Sequence, residues 1–435
     1  MVSQDFGMSI HFLGEGYLMD MFDSPSKRKM SEFSSFCDMQ RMSNSLHKKE
    51  ISDMAHANTI FHQVLSLIPR TEFEALAKKY STGRAFRSFS RWNQFACLLF
   101  IHLAGRQSMR DGIRSLGANI RQMYHLGLRS VARSTFADAN SKRPAEFFQA
   151  IFGKLYQRCS SVAPGHKFRF KAKLYSFDSS VIKLCLSAFP WASYRAKRGG
   201  LKIHTVLDHD GYLPAFVRVT NARLHDSKMV KMLRLPKGSI AVFDKAYINY
   251  SWFRTLSASG LFFVTRLKTN AVYKVLKRNP VRKSTGVTSD HVIVVFSQDK
   301  ELHLRRVGYR DPETGKFYEF LTNHLNLSAK TIADIYKERW QIETFFRLIK
   351  QNLRLKSFVG TSENAVLSQI YVAMIAYLML AWLKFKSSVA FSLQEMFQLL
   401  QVNLFDRREM EDIFKPPDAF HDNINNDYRL LSYVA

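Results

Sequence analysis

The chain has 435 residues, 46% of them hydrophobic and 36 of them Phe, enough apolar material for two or three domains with cores of their own. Lys and Arg number 64 against 36 Asp and Glu, a formal net charge of +28. An excess that large points to a polyanionic partner, of which nucleic acid is the commonest, and makes a small acidic molecule a poor candidate for the main one. A ribosome-associated or merely basic soluble protein would carry the same charge. Cys37, Cys97, Cys159 and Cys185 are scattered without a C-x-x-C pair, which argues against a zinc finger or a disulfide framework and fits a reducing cytoplasm. Asp5 and the lack of a basic segment ahead of an apolar run leave no secretory signal to read.

Residues 1–53 carry a net charge of −2, are rich in Met, Ser and Phe, and hold no sustained period of 3.6 or 2. They read as a poorly ordered extension, with Met54 a candidate start. Residues 54–165 read as an all-helical DNA-binding domain. FHQVLSLIPR, TEFEALAKKY, RWNQFACLLFIHLAG, SMRDGIRSLG and RPAEFFQAIFGKLYQRC repeat apolar residues at three and four positions, and Gly83, Gly105, Gly117 and Gly127 punctuate them. Residues 54–150 carry a net +9. Arg129, Arg133, Lys142 and Arg143 near helix starts are candidates for phosphate contact, although for any one of them a solvated basic surface is the plainer reading.

Residues 166–385 read as a mixed α/β catalytic domain. LYSFDSSVI, LKIHTVLD, LPAFVRVT, SIAVFD and LFFVTRL are short, β-branched and aromatic, and Asp210-Gly211 predicts a hairpin between the second and third. HDSKMVKML and YINYSWFRTLSASG read as helices before the fourth and fifth strands. HVIVVF, LHLRRVGY and FYEFLTN make a β-rich insertion over about 268–325, and a long helix starts near Ser328. Ile370–Leu383 has no charged residue but is shorter than the roughly 20 residues a membrane span needs, so it reads as a buried helix. Residues 386–435 read as a helical tail.

Three acidic positions carry the chemistry. Asp178 lies inside an apolar strand, where a charge is costly without a partner. Asp244 ends the strand SIAVF, and carboxylates at strand carboxyl ends gather at one sheet edge. On a helix advancing about 100° per residue from Tyr336, Arg339 falls near 300°, Glu343 near 340° and Lys350 near 320°, one narrow face. Ile335, Ile342, Phe345, Phe346, Ile349 and Leu353 form the buried stripe beside it. Two aspartates and a glutamate offer hard oxygens to Mg²⁺, with Mn²⁺ as a substitute, and a pair of such ions serves phosphodiester cleavage. Tyr336, Arg339 and Lys350 would then hold the bound strand.

Tyr336-x2-Arg339-x3-Glu343-x6-Lys350, with FDSSVI around Asp178 and FDKAY around Asp244, resembles one large group of bacterial insertion-sequence DDE transposases that carry a Y-R-E-K signature. The similarity runs from about Met54 to the carboxyl terminus and takes in HQVLSLIPR, RSFSRWNQF and ARSTFADAN. The resemblance implies an α+β protein with an RNase H-like core, Asp178, Asp244 and Glu343 as catalytic metal ligands, and Tyr336, Arg339 and Lys350 as contacts to the element's end. It also implies a homodimer that pairs terminal inverted repeats and works by cut-and-paste in the bacterial cytoplasm, at the nucleoid.

The remaining candidates are plainer. Asp226 after His225 reads as a helix cap rather than a metal ligand. His204 reads as structural, Trp252 as packing, and Trp340 stands evenly between packing and base stacking. Arg195, Lys197, Arg198 and Lys202 form a basic run read as a flexible loop beside Asp178 that contacts DNA. Lys277, Arg278, Arg282 and Lys283 serve equally as a solvated face. An inactive or domesticated copy that only binds DNA, and a nuclease that stops at cleavage, are the rival readings; the filled acidic triad counts against simple decay.

Overall fold

The computed structural model describes residues 58–81, 89–195, 198–222, 234–297, 300–353, 355, 357–387 and 389–415. The extension at 1–53, Cys37, Lys197, His225-Asp226 with its expected helix, and the end of the tail lie outside them.

The amino-terminal helices are α1 (Ile60–Ser66), α2 (Arg70–Lys79), α3 (Arg91–Leu103), α4 (Met109–Ala118), α5 (Ile120–His125), α6 (Arg133–Lys142) and α7 (Glu146–Val162). Hydroxyl caps fix several starts: Thr59, Ser90 and Ser108 each accept a backbone N–H from the first turn of α1, α3 and α4. Gly112 is required where α4 crosses α3, because a Cβ there would lie 2.5 Å from Ile101 Cγ1. Arg143 departs from the surface role expected of it. It is 2% exposed, and its guanidinium donates to the carbonyls of Phe89 and Ser90 and to Gln94 Oε1, satisfying backbone groups ahead of α3 instead of a phosphate.

Ten strands among the described residues form one sheet: β1 (Leu174–Leu184), β2 (Ser193–Arg195), β3 (Arg198–Asp208), β4 (Leu213–Asn221), β5 (Ile240–Phe243), β6 (Phe262–Arg266), β7 (Lys274–Arg278), β8 (Val287–Ser297), β9 (Lys300–Arg310) and β10 (Phe317–Thr322). The order is β2-β3-β1-β5-β6-β10-β9-β8-β7, with β4 on β3. β1, β5 and β6 are parallel, and β3 runs antiparallel to β1. The hairpin at Asp210-Gly211 forms as expected, with Gly211 at φ +68° and Tyr212 at φ +55°. The β-rich stretch after residue 268 lengthens the same sheet, because β10 pairs antiparallel with β6 at Phe320↔Arg266. Between the fifth and sixth strands of the chain lies α8 (Tyr250–Ala258), capped by Asn249.

Beyond β10 come α9 (Ala329–Glu338), α10 (Gln341–Gln351), α11 (Glu363–Ser387) and α12 (Leu393–Asn403). At 25 residues, α11 is long and apolar enough to cross a membrane, longer than its uncharged stretch suggested, yet 89% of its most apolar window is buried. It extends past Gln369 because that side chain is satisfied inside, accepting from Val359 N at 2.8 Å and donating to Ser357 O at 3.0 Å. A helix apolar all round belongs in the middle of a core. One continuous apolar cluster joins α11 to Phe61, Phe95 and Phe148 of the amino-terminal helices and to Ile182, Ile203 and Val217 of the sheet. The opposite sheet face packs Tyr175, Phe177 and Phe243 against Trp252 and Phe253 of α8.

Candidate active site

Two aspartates meet through strand register. The parallel pair ends at Phe177↔Phe243, and the next residue on each strand is Asp178 and Asp244. Adjacent strands lie about 4.8 Å apart, so both carboxylates stand at one level of the sheet. β1 runs on against β3, whereas β5 stops because Asp244 turns the chain: its Oδ1 accepts Ala246 N at 3.1 Å and caps a 3₁₀ turn at Lys245–Tyr247. Asp178 Oδ1 accepts Ser179 N at 2.8 Å.

The glutamate arrives on a broken helix. One continuous helix was expected from Ser328, but Arg339 and Trp340 separate α9 from α10. Arg339 N, Trp340 N and Ile342 N donate to the carbonyls of Tyr336, Lys337 and Arg339, three residues back instead of four. That tightening changes the expected 100° step, yet Tyr336, Arg339 and Glu343 still reach the sheet edge. Arg339 Nη1 donates to Asp178 Oδ2 at 3.3 Å and Nη2 to Glu343 Oε1 at 2.7 Å. Tyr336 Oη donates to Asp244 Oδ2 at 3.5 Å, and the Arg339 guanidinium lies 5.7 Å from the Tyr336 ring. Lys350, about two turns of α10 beyond Glu343, donates to Val181 O at 3.2 Å.

The site's charges are strongly coupled to burial. Burial pushes the Asp178 acid up to about 6; Ser179 N–H and Arg339 oppose the rise, while Glu343 and Asp244 add to it. Burial also pushes the Tyr336 phenol up to about 12. Burial opposes the charge of Arg339, but Tyr336, Glu343 and Asp178 outweigh it and hold the guanidinium above its usual value. Its Nε–H, buried as well, has no acceptor among the described residues.

Among the described residues no three His, Cys, Asp or Glu side chains form a ready-made metal cage. The donor chemistry nevertheless fits a hard divalent cation: carboxylate oxygens of Asp178, Asp244 and Glu343 converge from two strands and a helix, and the Arg339 cation sits against two of them.

The basic run joins this site less directly than expected. Ser193–Arg195 and Arg198–Asp208 are paired strands, with Arg195 opposite Arg198, so Arg195, Arg198 and Lys202 lie on strands and not on a loop. Lys202 pairs with Val181, three positions from Asp178 or about 10 Å along the strand. Alternation also puts it on the other sheet face from Asp178. His204 is structural, bonded to Thr220 Oγ1 at 2.9 Å, and Trp252 packs on Phe243 with centroids 4.8 Å apart. Trp340 is 55% exposed at the helix break. Lys277, Arg278, Arg282 and Lys283 are exposed.

A further set of contacts, behind the helix break, went unread in the sequence. Glu338, the residue before Arg339, is 6% exposed, accepts from Tyr212 Oη at 2.7 Å and pairs with Lys167. Tyr377 Oη in turn donates to Tyr212 O at 2.8 Å. The turn signal at Asp210-Gly211 located Tyr212, but nothing in the pattern pointed it at α9.

Comparison with known proteins places the chain in a family. The Transposase DDE domain model matches residues 169–379, and a domain of unknown function (DUF4372) matches residues 56–129. A Sinorhizobium fredii protein named as transposase y4zB is 33% identical over 66% of this chain and 82% of its own. A Geobacillus stearothermophilus protein named as the transposase of insertion sequence element IS5377 is 30% identical over 75% of this chain and 85% of its own. A piggyBac transposase synaptic complex with hairpin DNA superposes loosely, at a TM-score of 0.39 and 15% identity, over 84% of this chain and 82% of that one.

Proposed function

Because the chain belongs to the insertion-sequence DDE transposases, metal-dependent enzymes that cut and join DNA, we propose that Asp178, Asp244 and Glu343 are its catalytic metal ligands and Mg²⁺ its cofactor. The observation that carries this reading is the register Phe177↔Phe243, which brings the two aspartates level, together with the arginine that ties Glu343 to the first of them. Bound Mg²⁺ supplies Lewis-acid stabilisation of charge on phosphodiester oxygens. The chain's own residues position the rest. Burial raises the Asp178 acid, Tyr336 donates to Asp244, and Arg339 ties Asp178 to Glu343.

In this reading Tyr336, Arg339 and Lys350 hold the element's end, as the Y-x2-R-x3-E-x6-K spacing suggests, and exposed Trp340 stands beside them for stacking on a displaced base. The substrates are the terminal inverted repeats and then target DNA, joined by cut-and-paste in a homodimer that works in the bacterial cytoplasm. The amino-terminal helices up to residue 165 contribute DNA binding. Arg195, Lys197, Arg198 and Lys202 are further DNA contacts in this reading.

The test is cleavage of the element's own end DNA with Mg²⁺, comparing wild type with Asp178→Ala, Asp244→Ala and Glu343→Ala. Nicking by wild type at the terminus, with all three variants binding but not cutting, is the expected result. Binding by wild type without cutting in Mg²⁺ or Mn²⁺ favours the DNA-binding relic instead.

A further inference from the structure

We propose that the cleft between α4, α6 and the loop entering α11 is a second DNA-backbone site, set beyond the candidate active site along α10; the inference rests on the reading above that the chain binds element DNA. The cleft measures about 590 Å³, and its lining includes Arg110 and Arg133 with the hydroxyl and amide groups of Gln107, Ser108, Ser141 and Thr361. These are the groups that contact phosphate and sugar without reading sequence. Arg110 and Arg133 are both exposed, and exposed Arg114 follows Arg110 by one turn of α4. The one acid on the lining, Asp138, already pairs with Lys142 at 3.1 Å. The cleft is therefore cationic on balance.

Its floor is fixed before any ligand arrives. Trp191 Nε1 donates to Thr361 O at 2.7 Å, Phe358 packs on Phe189 with centroids 6.2 Å apart, and Val359 N donates to Gln369 Oε1 at 2.8 Å. A rigid floor avoids the ordering cost that a mobile basic loop would incur.

Position favours a duplex over a small anion. α10 carries Glu343 and, about 10 Å further along its axis, Lys350. The chain then leaves the helix and reaches the cleft at Phe358. β1 runs from Asp178 past Val181, whose carbonyl accepts from Lys350, and the chain beyond β1 brings Phe189 and Trp191 against Phe358 and Thr361 of the cleft, so the contacts lead from the carboxylates through Lys350 towards the cleft, an arrangement that suits a continuous phosphate backbone better than a single bound anion. The cleft is also an open one without a deep apolar pocket, which suits backbone contact.

Anisotropy titration of the full chain with labelled end duplex, between about 50 and 200 mM salt, tests the proposal through counter-ion release. Arg110→Ala/Arg133→Ala removes two phosphate contacts, so the slope of log K against log salt becomes shallower by about 1.8, with the melting temperature unchanged. Arg110→Lys/Arg133→Lys keeps most of the slope. Lys277→Ala/Arg278→Ala, an equal loss of charge on exposed β7, leaves the slope at the wild-type value. A double-alanine slope equal to wild type overturns the proposal, as does an equal loss in the β7 control, which reduces the cleft to general surface charge. Wild type that binds no end DNA at all overturns the proposed function itself, a separate and recognisable failure.

Discussion

Arg339 reaches from the break between two helices to Asp178 in the middle of β1, donating to its Oδ2 at 3.3 Å across 161 residues of chain. The same guanidinium holds Glu343 at 2.7 Å. The single positive charge of Arg339 partly offsets two carboxylates at once. The side chains are 12% exposed for Arg339, 24% for Asp178 and 32% for Glu343, so this is a partly desolvated cluster and the attraction is not fully screened by water.

Arg339→Ala therefore leaves two carboxylates facing each other with their counter-ion gone. In EDTA the variant is expected to lose roughly 1–3 kcal/mol, less than a fully buried pair would cost. Mg²⁺ should restore more of the melting temperature in the variant than it adds to wild type. Differential scanning fluorimetry with and without Mg²⁺ decides this, and equal Mg²⁺ shifts in both proteins would refute the counter-ion role.

Asp178→Asn should abolish cleavage without destabilising the metal-free fold at neutral pH. With a folded value of about 6 against an unfolded value near 3.9, the native state binds the proton more tightly. As pH rises from about 4 to 6, wild type loses stability that the neutral variant keeps. Melting curves at a series of pH values in EDTA should show the variant gaining on wild type across that window. A constant gap would mean that Asp178 is not held high.

Protons and a divalent cation compete for the same carboxylate, so Mg²⁺-dependent cleavage should fall as pH drops below about 6, where Asp178 is protonated. Raising Mg²⁺ should move the acid limb of the rate profile to lower pH. An acid limb that ignores Mg²⁺ concentration would break the link.

Tyr212→Phe removes the donor to Glu338, a loss of about 1–3 kcal/mol for a buried charged acceptor. Burial alone would raise the Glu338 acid, but Lys167 and Tyr212 outweigh it and hold it below its usual range. The stability that this lowering provides is present above the unfolded value near 4.3 and is lost as pH falls further. The variant should therefore show a flatter fall in melting temperature on acidification below that point, and slower cleavage, because Glu338 anchors the last turn of α9, directly before Arg339. Unchanged acid sensitivity would count against the anchor.

Gly112→Ala is expected to cost about 1–3 kcal/mol through overpacking, since its new Cβ meets Ile101 Cγ1 at 2.5 Å. The denaturant midpoint measures it, and a midpoint equal to wild type would show that α3 and α4 have room to separate.

Much of the site was legible because its signals are local. Alternating apolar residues located β1 and β5, an acid inside the first and another directly after the second stood out against their apolar neighbours, and the spacing of Tyr336, Arg339 and Glu343 put them on one helix face. The basic run at 195–202 misled for the opposite reason. Two glycines and four cations look like a loop, but Gly199 and Gly200 pair with Leu184 and Lys183, and cross-strand hydrogen bonds to β1 decide the conformation. Arg143 misled similarly: its charge suggested solvent, whereas the carbonyls of Phe89 and Ser90 and the Gln94 amide oxygen hold it in the interior.

By itself, then, the sequence determined the strands, the carboxylates, the helix face that answers them and the cationic surplus, since periodicity and charge are carried by neighbouring residues. Tertiary structure alone decided that Phe177 pairs with Phe243, that the helix breaks after Glu338, that the later strands lengthen the same sheet, and that Tyr212 and Glu338 meet. Each of these depends on which distant groups compete for the same hydrogen bonds and the same buried volume, and that competition is settled only when the whole core closes.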